Sequence, residues 1–527
     1  MAFLLTYLRI GGILYLVKVG LFDFYPYFPL KLVIIMEGEI CCKANREFSL
    51  DKYTTTEACG LPSVEELRAS LLAAENSDAR NQIAMLFDEA TFVETNAYAK
   101  RSFSDFLTTE KANEFESVIT GYGAIGGKLV FAFAEDASRM DGVIDERHAK
   151  KIADLYALAI KSGAPVIGIF NSNGTDIFEG TSGLAAYGKI MNCVINASGT
   201  IPQIAFVAGK CIGTAAAIAS AFDFVVKDNA ATFYVSSPSL TGVDNAQDSL
   251  LAFSGETFDC ASYIRSIIAY IPDNSAIGVE VGDCSDNLNR KLGDIDFAGE
   301  ALAVISVVAD NGVFYEIMHD FEPSVSTAFA TVGGVKCGIV ANSYSVNEGK
   351  LSVSVARKIT KFVNFCDAYS IPVVTLVDSA GLAVEKNNES AFFAPELAKL
   401  AFAYSTAKTP KITVIMGHAI GASFVLLGSK ALGADLVYAL NSAEIGALTA
   451  ESGVAFAWNN YITLEKSRES LVAEWKNIVS SPAVAAASGE IDDIISINEL
   501  RARICSALLM LASKGEVKVS CRKVLPL

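Results

Sequence analysis

Hydrophobic and polar positions along this chain follow one succession of patterns, and that succession occurs twice. Residues 165–170 read Pro-Val-Ile-Gly-Ile-Phe and residues 372–377 read Pro-Val-Val-Thr-Leu-Val. Each is a β-rich run without a polar face, as in a strand buried on both sides. Each run breaks at a turn signal, Asn171-Ser172-Asn173-Gly174 or Asp378-Ser379-Ala380-Gly381. A second apolar strand is predicted at Ile204–Ala208 and again at Ile412–Met416, followed by a small-residue turn at Gly213-Thr214 or Gly421-Ala422. The residues after those turns, Ala215 to Ala219 and Ser423 to Leu427, read as buried helices. Helical spacing is also predicted over Ala149–Ser162 and Ser354–Tyr369. From Val64 to Leu86 the spacing of Leu67, Leu71, Leu72, Ile83 and Leu86 predicts one or two surface helices.

The two copies keep register. Pro165 and Pro372 are 207 residues apart, while Pro202 and Pro410, like Gly213 and Gly421, are 208 apart. Matched spacing over so long a span marks a duplicated unit. A glycine turn that opens a helix presents unpaired N–H groups at the positive end of the helix dipole, where they can hold a developing oxyanion. Each such donor contributes about 3 kcal/mol of transition-state stabilisation, so backbone amides can carry catalysis without a conspicuous acid or base. In a single copy, close helix packing would account for the glycine; the second copy at the same spacing points to a function.

At 527 residues the chain exceeds what one core can use and fits two domains. We expect a first domain over residues 36–285 and a second over 286–527, joined through the Asp-, Asn- and Gly-rich stretch 272–296. A hydrophobic fraction of 52% against 19% charged suits an extensive interior and a large subunit interface. The net charge of −17 argues against general nucleic-acid binding. The 11 cysteines are isolated apart from Cys41-Cys42, and the 3 histidines, His148, His319 and His418, are far apart. No metal-binding spacing can be read there, and unclustered thiols suit a reducing cytosol.

The first 35 residues are apolar, but Arg9, Lys18, Asp23 and Lys31 leave no uncharged run longer than eight residues. A spanning helix needs about 20 apolar residues, and no small-residue cleavage site closes this segment. Residues 1–35 are therefore expected to be an apolar extension upstream of a working start at Met36.

Further residues carry a resemblance. They include Ala79-Arg80, Phe87-Asp88-Glu89, Phe92-Val93-Glu94, Gly163 to Gly174, Glu179-Gly180, Ile201-Pro202-Gln203 and Gly209-Lys210-Cys211. In the second copy they are Phe362 to Gly381, Ala443-Glu444-Ile445 and the tail Gly489 to Ile495. On these, from about residue 79 onward, the chain resembles the carboxyltransferase subunits of biotin-dependent acyl-CoA carboxylases and decarboxylases. The resemblance implies an α/β fold of tandem crotonase-like (ClpP/crotonase) domains, each a right-handed superhelix of ββα turns. It also implies a chemistry in which carboxybiotin delivers a carboxyl group, the freed ureido nitrogen serves as base, and an acyl-CoA passes through a thioester enolate. Two oxyanions then need holding, one on the thioester and one on the ureido oxygen.

By position, Gly213 and Thr214 are the expected donors of one hole and Gly421 and Ala422 those of the other. The family has paired glycines at both places. Lys151 resembles a family lysine that could meet CoA phosphates, and Gly174 lies where the family has Gly-Ala-Arg, continued here by Thr175-Asp176. Val425 replaces an aspartate associated with acyl-chain choice, and Pro395-Glu396 replaces an Arg-His pair. Lys210 sits beside the first hole. His418 is a candidate base beside the second, while Asp378 and Glu444 read as turn stabilisers.

The chain contains no Met-Lys dipeptide, hence no biotin-attachment sequence, and no Gly-rich ATP loop. A separate biotin carboxyl carrier protein is therefore implied, with a biotin carboxylase subunit or a membrane decarboxylase subunit, around a homodimer or homohexamer. Three other roles compete: the decarboxylase subunit of a sodium-pumping complex, a non-catalytic assembly subunit, and a tandem crotonase-fold serine peptidase. The last would use Ser423 as nucleophile and Lys210 as base.

Overall fold

The computed structural model describes residues 3–10, 13–20, 34–35, 63–73, 77–100, 115–175, 180–242, 251–293, 297–463 and 466–514. It divides into a unit of residues 1–68 and a unit of residues 69–527. In the first, Phe3–Ile10 pairs antiparallel with Ile13–Gly20, and Ile34–Ile35 adds to the latter. The expected start at Met36 lies outside the described residues.

The larger unit holds two sheets of the same design. In the first, the hairpin Val118–Ile125/Lys128–Glu135 is antiparallel, with Val93–Thr95 along its outer edge. Val166–Phe170, Gln203–Val207, Phe224–Asp228 and Phe253–Gly255 then add in parallel, in that order. The second repeats this with the hairpin Val325–Val332/Val335–Asn342, edged by Phe314–Ile317. There the parallel additions are Val373–Ser379, Lys411–Ile420, Leu436–Leu440 and Asp493–Ile495. The predicted strand at Ile412 runs well past Met416. Beyond a register shift after Val377, its end still pairs Ser379 with Ala419 and takes on Glu444–Gly446.

Each crossover is a helix for a local reason. Glu146–Ser162 starts at Asp145, whose carboxylate accepts the His148 N–H, and stops at Gly163 in the left-handed conformation. Val353–Ala368 starts at Ser352, whose hydroxyl accepts the Val355 N–H. This second helix buries two faces. Phe362 packs on Phe329 of its own sheet, while Phe365 lies 4.6 Å from Phe224 of the other sheet and Tyr369 donates to Asp223 across the same seam. One hydrophobic core thus contains residues of both halves, among them Ile169, Phe206, Phe224, Phe329, Ile359 and Val373.

The stretch 272–296, expected as a linker, is tethered where it is described. Gly282 N–H donates to Gly334 O at 2.8 Å, and Glu280 pairs with Lys336 at 2.6 Å. Gly334 belongs to a tight turn that both hairpins share. Gly126-Gly127 and Gly333-Gly334 all have positive φ, and in each turn the two amides donate to one carboxylate, Asp88 or Asp310. Each carboxylate in turn holds an arginine, Arg265 at 2.7 Å and Arg501 at 2.5 Å. Hydrogen bonds from Arg265, Gly127 and Gly126 hold the Asp88 carboxyl below the usual carboxylate range. Among the described residues, no helix is long and apolar enough to cross a membrane.

Arg501 is fully buried, so removing its partner leaves a buried cation with Asp286, at 3.3 Å, as its remaining carboxylate beside the Val308 and Asn287 carbonyls. Asp310→Ala is expected to lower unfolding free energy by about 3 kcal/mol, and Asp88→Ala by less because that pair is partly exposed. Urea unfolding of both variants checks the order.

Candidate active site

Each candidate site is built where the end of one strand meets a second strand that leads through a glycine turn into a helix. In the first half, Val166–Phe170 leads to Asn171, and Lys210–Ile212 leads through Gly213 into the helix Thr214–Ser220. In the second, Val373–Ser379 carries Asp378, and Lys411–Ile420 leads through Gly421 into the helix Ala422–Leu426. The polar side chain ties the two strand ends together. Asn171 Oδ1 accepts the Lys210 N–H at 3.1 Å, and Asp378 Oδ1 accepts the His418 N–H at 2.8 Å. Gly209 and Gly417 make this approach possible, since a Cβ would come within 2.1 Å of Asn171 Oδ1 or 2.5 Å of Asp378 Oδ1.

The glycine turns themselves are near-identical. Gly213 has φ 62° and ψ −126°, and Gly421 has φ 58° and ψ −126°. Such torsions favour glycine strongly. A Cβ on Gly213 would meet nothing within 4 Å, so the requirement there is torsional and not steric.

Their expected role as donors needs correction. Gly213 N–H donates to Tyr234 O at 3.0 Å and Gly421 N–H to Gly446 O at 2.8 Å, because each glycine closes a pairing with the strand that follows it in the fold. The amides without an intrahelical partner begin one residue later, at Thr214 and Ala422. Thr214 is exposed and Ala422 half-buried.

Two other expected contacts are also corrected. Gly174, at φ 107°, has both backbone groups engaged: its N–H donates to Ser172 Oγ at 3.0 Å and its carbonyl accepts the Ile144 N–H at 2.9 Å. Gly381 repeats the pattern with Ser379 and Leu351, so Gly174 shapes the loop and has no free N–H to offer a ligand. Lys151 is buried, with its ammonium on the Val118 carbonyl, out of reach of CoA phosphates. Lys358, 207 residues on, repeats this by donating to Val325 O at 2.7 Å and Phe321 O at 2.6 Å. These lysines bind each crossover helix to its hairpin. Val425 stands 47% exposed on its helix.

The peptidase alternative fails on geometry. Ser423 is fully buried, and its hydroxyl accepts the Ile420 N–H and donates within the Ile420 and Ser379 carbonyls. Glu444 accepts the Ala450 N–H at 2.7 Å and pairs with Lys476, a turn-stabilising role. Glu396 is buried between Lys399 and Arg357. Thr175 packs against Gly183, and Asp176 lies outside the described residues.

Behind the first site lies a buried polar group that sequence reading did not find. Glu135 Oε2 accepts the Asn171 N–H at 2.8 Å, and its other oxygen is 3.9 Å from His148 Nε2. Burial raises Glu135 to about 8, and burial with neighbouring Asp145 raises Glu116 to about 7. Burial and the Lys151 charge lower His148 to about 3, and burial lowers Lys151 to about 8. The only sequence signal was His148 beside two lysines, which reads equally as a solvated helix face. In the second half, Asp378 also lines a cavity of about 510 Å³ together with Asn342, Leu376, Met416 and Leu440.

The chain's similarities span both sheets of its larger unit. The Carboxyl transferase domain matches residues 73–248 and 251–525. The methylmalonyl-CoA decarboxylase subunit alpha of Veillonella parvula is 35% identical over 464 residues, 83% of this chain and 90% of that one. The methylmalonyl-CoA carboxyltransferase 12S subunit of Propionibacterium freudenreichii subsp. shermanii is 32% identical over 93% of this chain and 97% of its own length. A transcarboxylase 12S crystal structure, a hexamer with hydrolysed methylmalonyl-coenzyme A bound, superposes with a TM-score of 0.80 at 31% identity, covering 87% of this chain and 97% of that one. The tandem crotonase-like fold is thus the fold of this chain.

Glu135 gives a stability prediction with a definite sign. Its folded value of about 8 exceeds the ordinary 4.5, so between those values the folded chain holds a proton that the unfolded chain has lost, and stability falls as pH rises through the window. Glu135→Gln is expected to be more stable than the parent chain at pH 8 to 9, with the difference vanishing towards the ordinary carboxylate range. His148 acts in the opposite sense at lower pH and is common to both proteins. Urea midpoints across pH test this; a constant difference would contradict it.

Proposed function

We propose that this chain, which belongs to the carboxyl transferase domain family, moves a carboxyl group between biotin and the α-carbon of an acyl-CoA through a thioester enolate. The observation that carries this reading is the doubled turn at Gly213 and Gly421, with matching torsions and a free amide next in line at each. When bound, biotin supplies the carboxyl group and a ureido nitrogen as base. The chain's own residues supply position and electrostatics. Thr214 and Ala422 N–H donate to the two oxygens on which charge develops, and Gly213 and Gly421 fix the direction of those amides. Asn171 and Asp378 hold the strands that carry them. Val425 forms part of the wall that bounds the acyl group.

We further place the chain in a multienzyme complex, as its relatives' names place them. Biotin would arrive on a separate carrier protein. The remaining partner would be a biotin carboxylase subunit or a membrane decarboxylase subunit, with the catalytic core a homodimer or homohexamer in the cytosol. Residues 36–285 and 286–527 would be its two carboxyltransferase domains.

The test is incubation of the full chain with free biotin and malonyl-, methylmalonyl- or glutaconyl-CoA, followed by mass spectrometry. Biotin-dependent loss of carboxyl from one thioester is expected and would name the substrate class. No turnover, even with the natural carrier supplied, would leave the non-catalytic assembly role. Gly213→Ala and Gly421→Ala are each expected to lower turnover by about 100-fold or more, since a strained turn misdirects the donor amide. Retention of more than a tenth of the rate in either would count against the holes.

A further inference from the structure

The buried carboxyl of Glu135 reaches the first site through two hydrogen bonds. Its Oε2 accepts the Asn171 N–H at 2.8 Å, and Asn171 Oδ1 accepts the Lys210 N–H at 3.1 Å. The Lys210 carbonyl in turn accepts the Ser172 N–H at 2.8 Å. The strand held in this way, Lys210–Ile212, leads through Gly213 to the Thr214 amide. On its other side the carboxyl meets His148: Oε1 lies 3.9 Å from Nε2, which is buried and has no hydrogen-bond partner among the described residues. The Ser117 hydroxyl directs its one proton to the Val143 carbonyl at 2.7 Å, so its 3.1 Å contact with His148 Nδ1 needs the ring proton on Nδ1. Nε2 therefore carries a lone pair.

At 3.9 Å the two atoms are farther apart than a hydrogen bond, but the sense of the contact is fixed. A protonated carboxyl presents a positive end to the lone pair and keeps its other oxygen for Asn171. An ionised carboxyl is a buried anion facing a lone pair, with the Asn171 N–H as its one donor among the described residues. It is relieved by shifting towards water, and Asn171 shifts with it. The other titratable groups nearby are Tyr187, on the helix Thr181–Ala197, and Cys211, on the strand Lys210–Ile212. Burial, helped by the Glu135 charge, raises Tyr187 to about 12 and Cys211 far above the ordinary thiol range, so both stay neutral where Glu135 titrates. Beyond His148 stand Glu116, 3.9 Å from Nδ1, and Lys151, which lose protons in the same range. In the second half, 207 residues on, Asn342 and Val355 replace Glu135 and His148, and neither can ionise.

We propose that Glu135 is a positioning residue of the first site: its proton keeps Asn171, and through Asn171 the strand that carries the Thr214 amide, in the working arrangement, and loss of that proton lowers turnover. This inference rests on the carboxyltransferase reading above. Glu135 touches no substrate and acts through Asn171, and the first half alone carries this pH dependence.

The test compares the full chain with Glu135→Gln, which copies the protonated carboxyl in shape and hydrogen bonding but cannot ionise. Biotin-dependent loss of carboxyl from the acyl-CoA is followed from about pH 6 to pH 9, each protein being scaled to its own rate at pH 7. Turnover of the unaltered chain is expected to fall about tenfold more than that of Glu135→Gln between pH 7 and pH 9, as one group titrating at about 8 requires. Glu116, Lys151 and biotin are common to both proteins, so their titration cancels in the ratio. Hydrogen exchange over residues 208–214 gives a reading that needs no turnover: it is expected to be equal in the two proteins at pH 7 and faster in the unaltered chain at pH 9. Parallel pH profiles overturn the proposal, and so does equal exchange at pH 9. If the unaltered chain turns over at no pH, even with the natural carrier supplied, the function proposed above falls and this inference with it; turnover with parallel profiles overturns this inference alone.

Discussion

The two sites depend on a backbone conformation that side chains disfavour. Gly213 and Gly421 must turn the chain through positive φ with ψ near −126°, because the preceding strand has to close its last hydrogen bond to Tyr234 or Gly446 and the next residue has to begin a helix. That requirement fixes the direction in which the first free helix amides emerge. The nearby devices serve it: Asn171 or Asp378 clasping the strand end, and Gly209 or Gly417 admitting the clasp. In the reaction proposed above, donors held rigid in this way would remove the reorganisation that water undergoes as charge develops.

The repeated design and its halves were legible in the sequence because proline, glycine and unbroken apolar runs punctuate both copies in the same order. Strands and crossover helices fell within a few residues of their predicted places. Some of the site was not legible, for reasons of distance along the chain. The carbonyls of Tyr234 and Gly446, which engage the Gly213 and Gly421 amides, lie 21 and 25 residues beyond them. Nothing local marks them as partners. Lys151 followed an amphipathic helix pattern, and only the neighbouring hairpin shows that its ammonium turns inward to a carbonyl.

Duplication has preserved scaffolding more faithfully than chemistry. Lys151 and Lys358 bind their hairpins alike, and the clamps of Asp88 with Arg265 and Asp310 with Arg501 hold equivalent turns. Groups near the ligand positions have diverged instead. Asn171 corresponds to Asp378, Lys210 to His418, and the buried carboxyl of Glu135 to the amide of Asn342. Exchanging a neutral amide for a carboxylate behind the strand end changes what the next side chain can do. Asp378 holds the His418 imidazole as well as its backbone N–H, while Asn171 holds the Lys210 backbone N–H.

The aromatic seam joining the sheets has an evolutionary meaning. Phe224, Phe329 and Phe365 form one packed cluster across the duplication, and Tyr369 reaches over it to Asp223. Once two ancestral copies had merged their interiors there, neither could again exist alone without exposing that surface to water. The fusion acts as a ratchet. It left each copy free to diverge while removing the route back to a self-sufficient single copy.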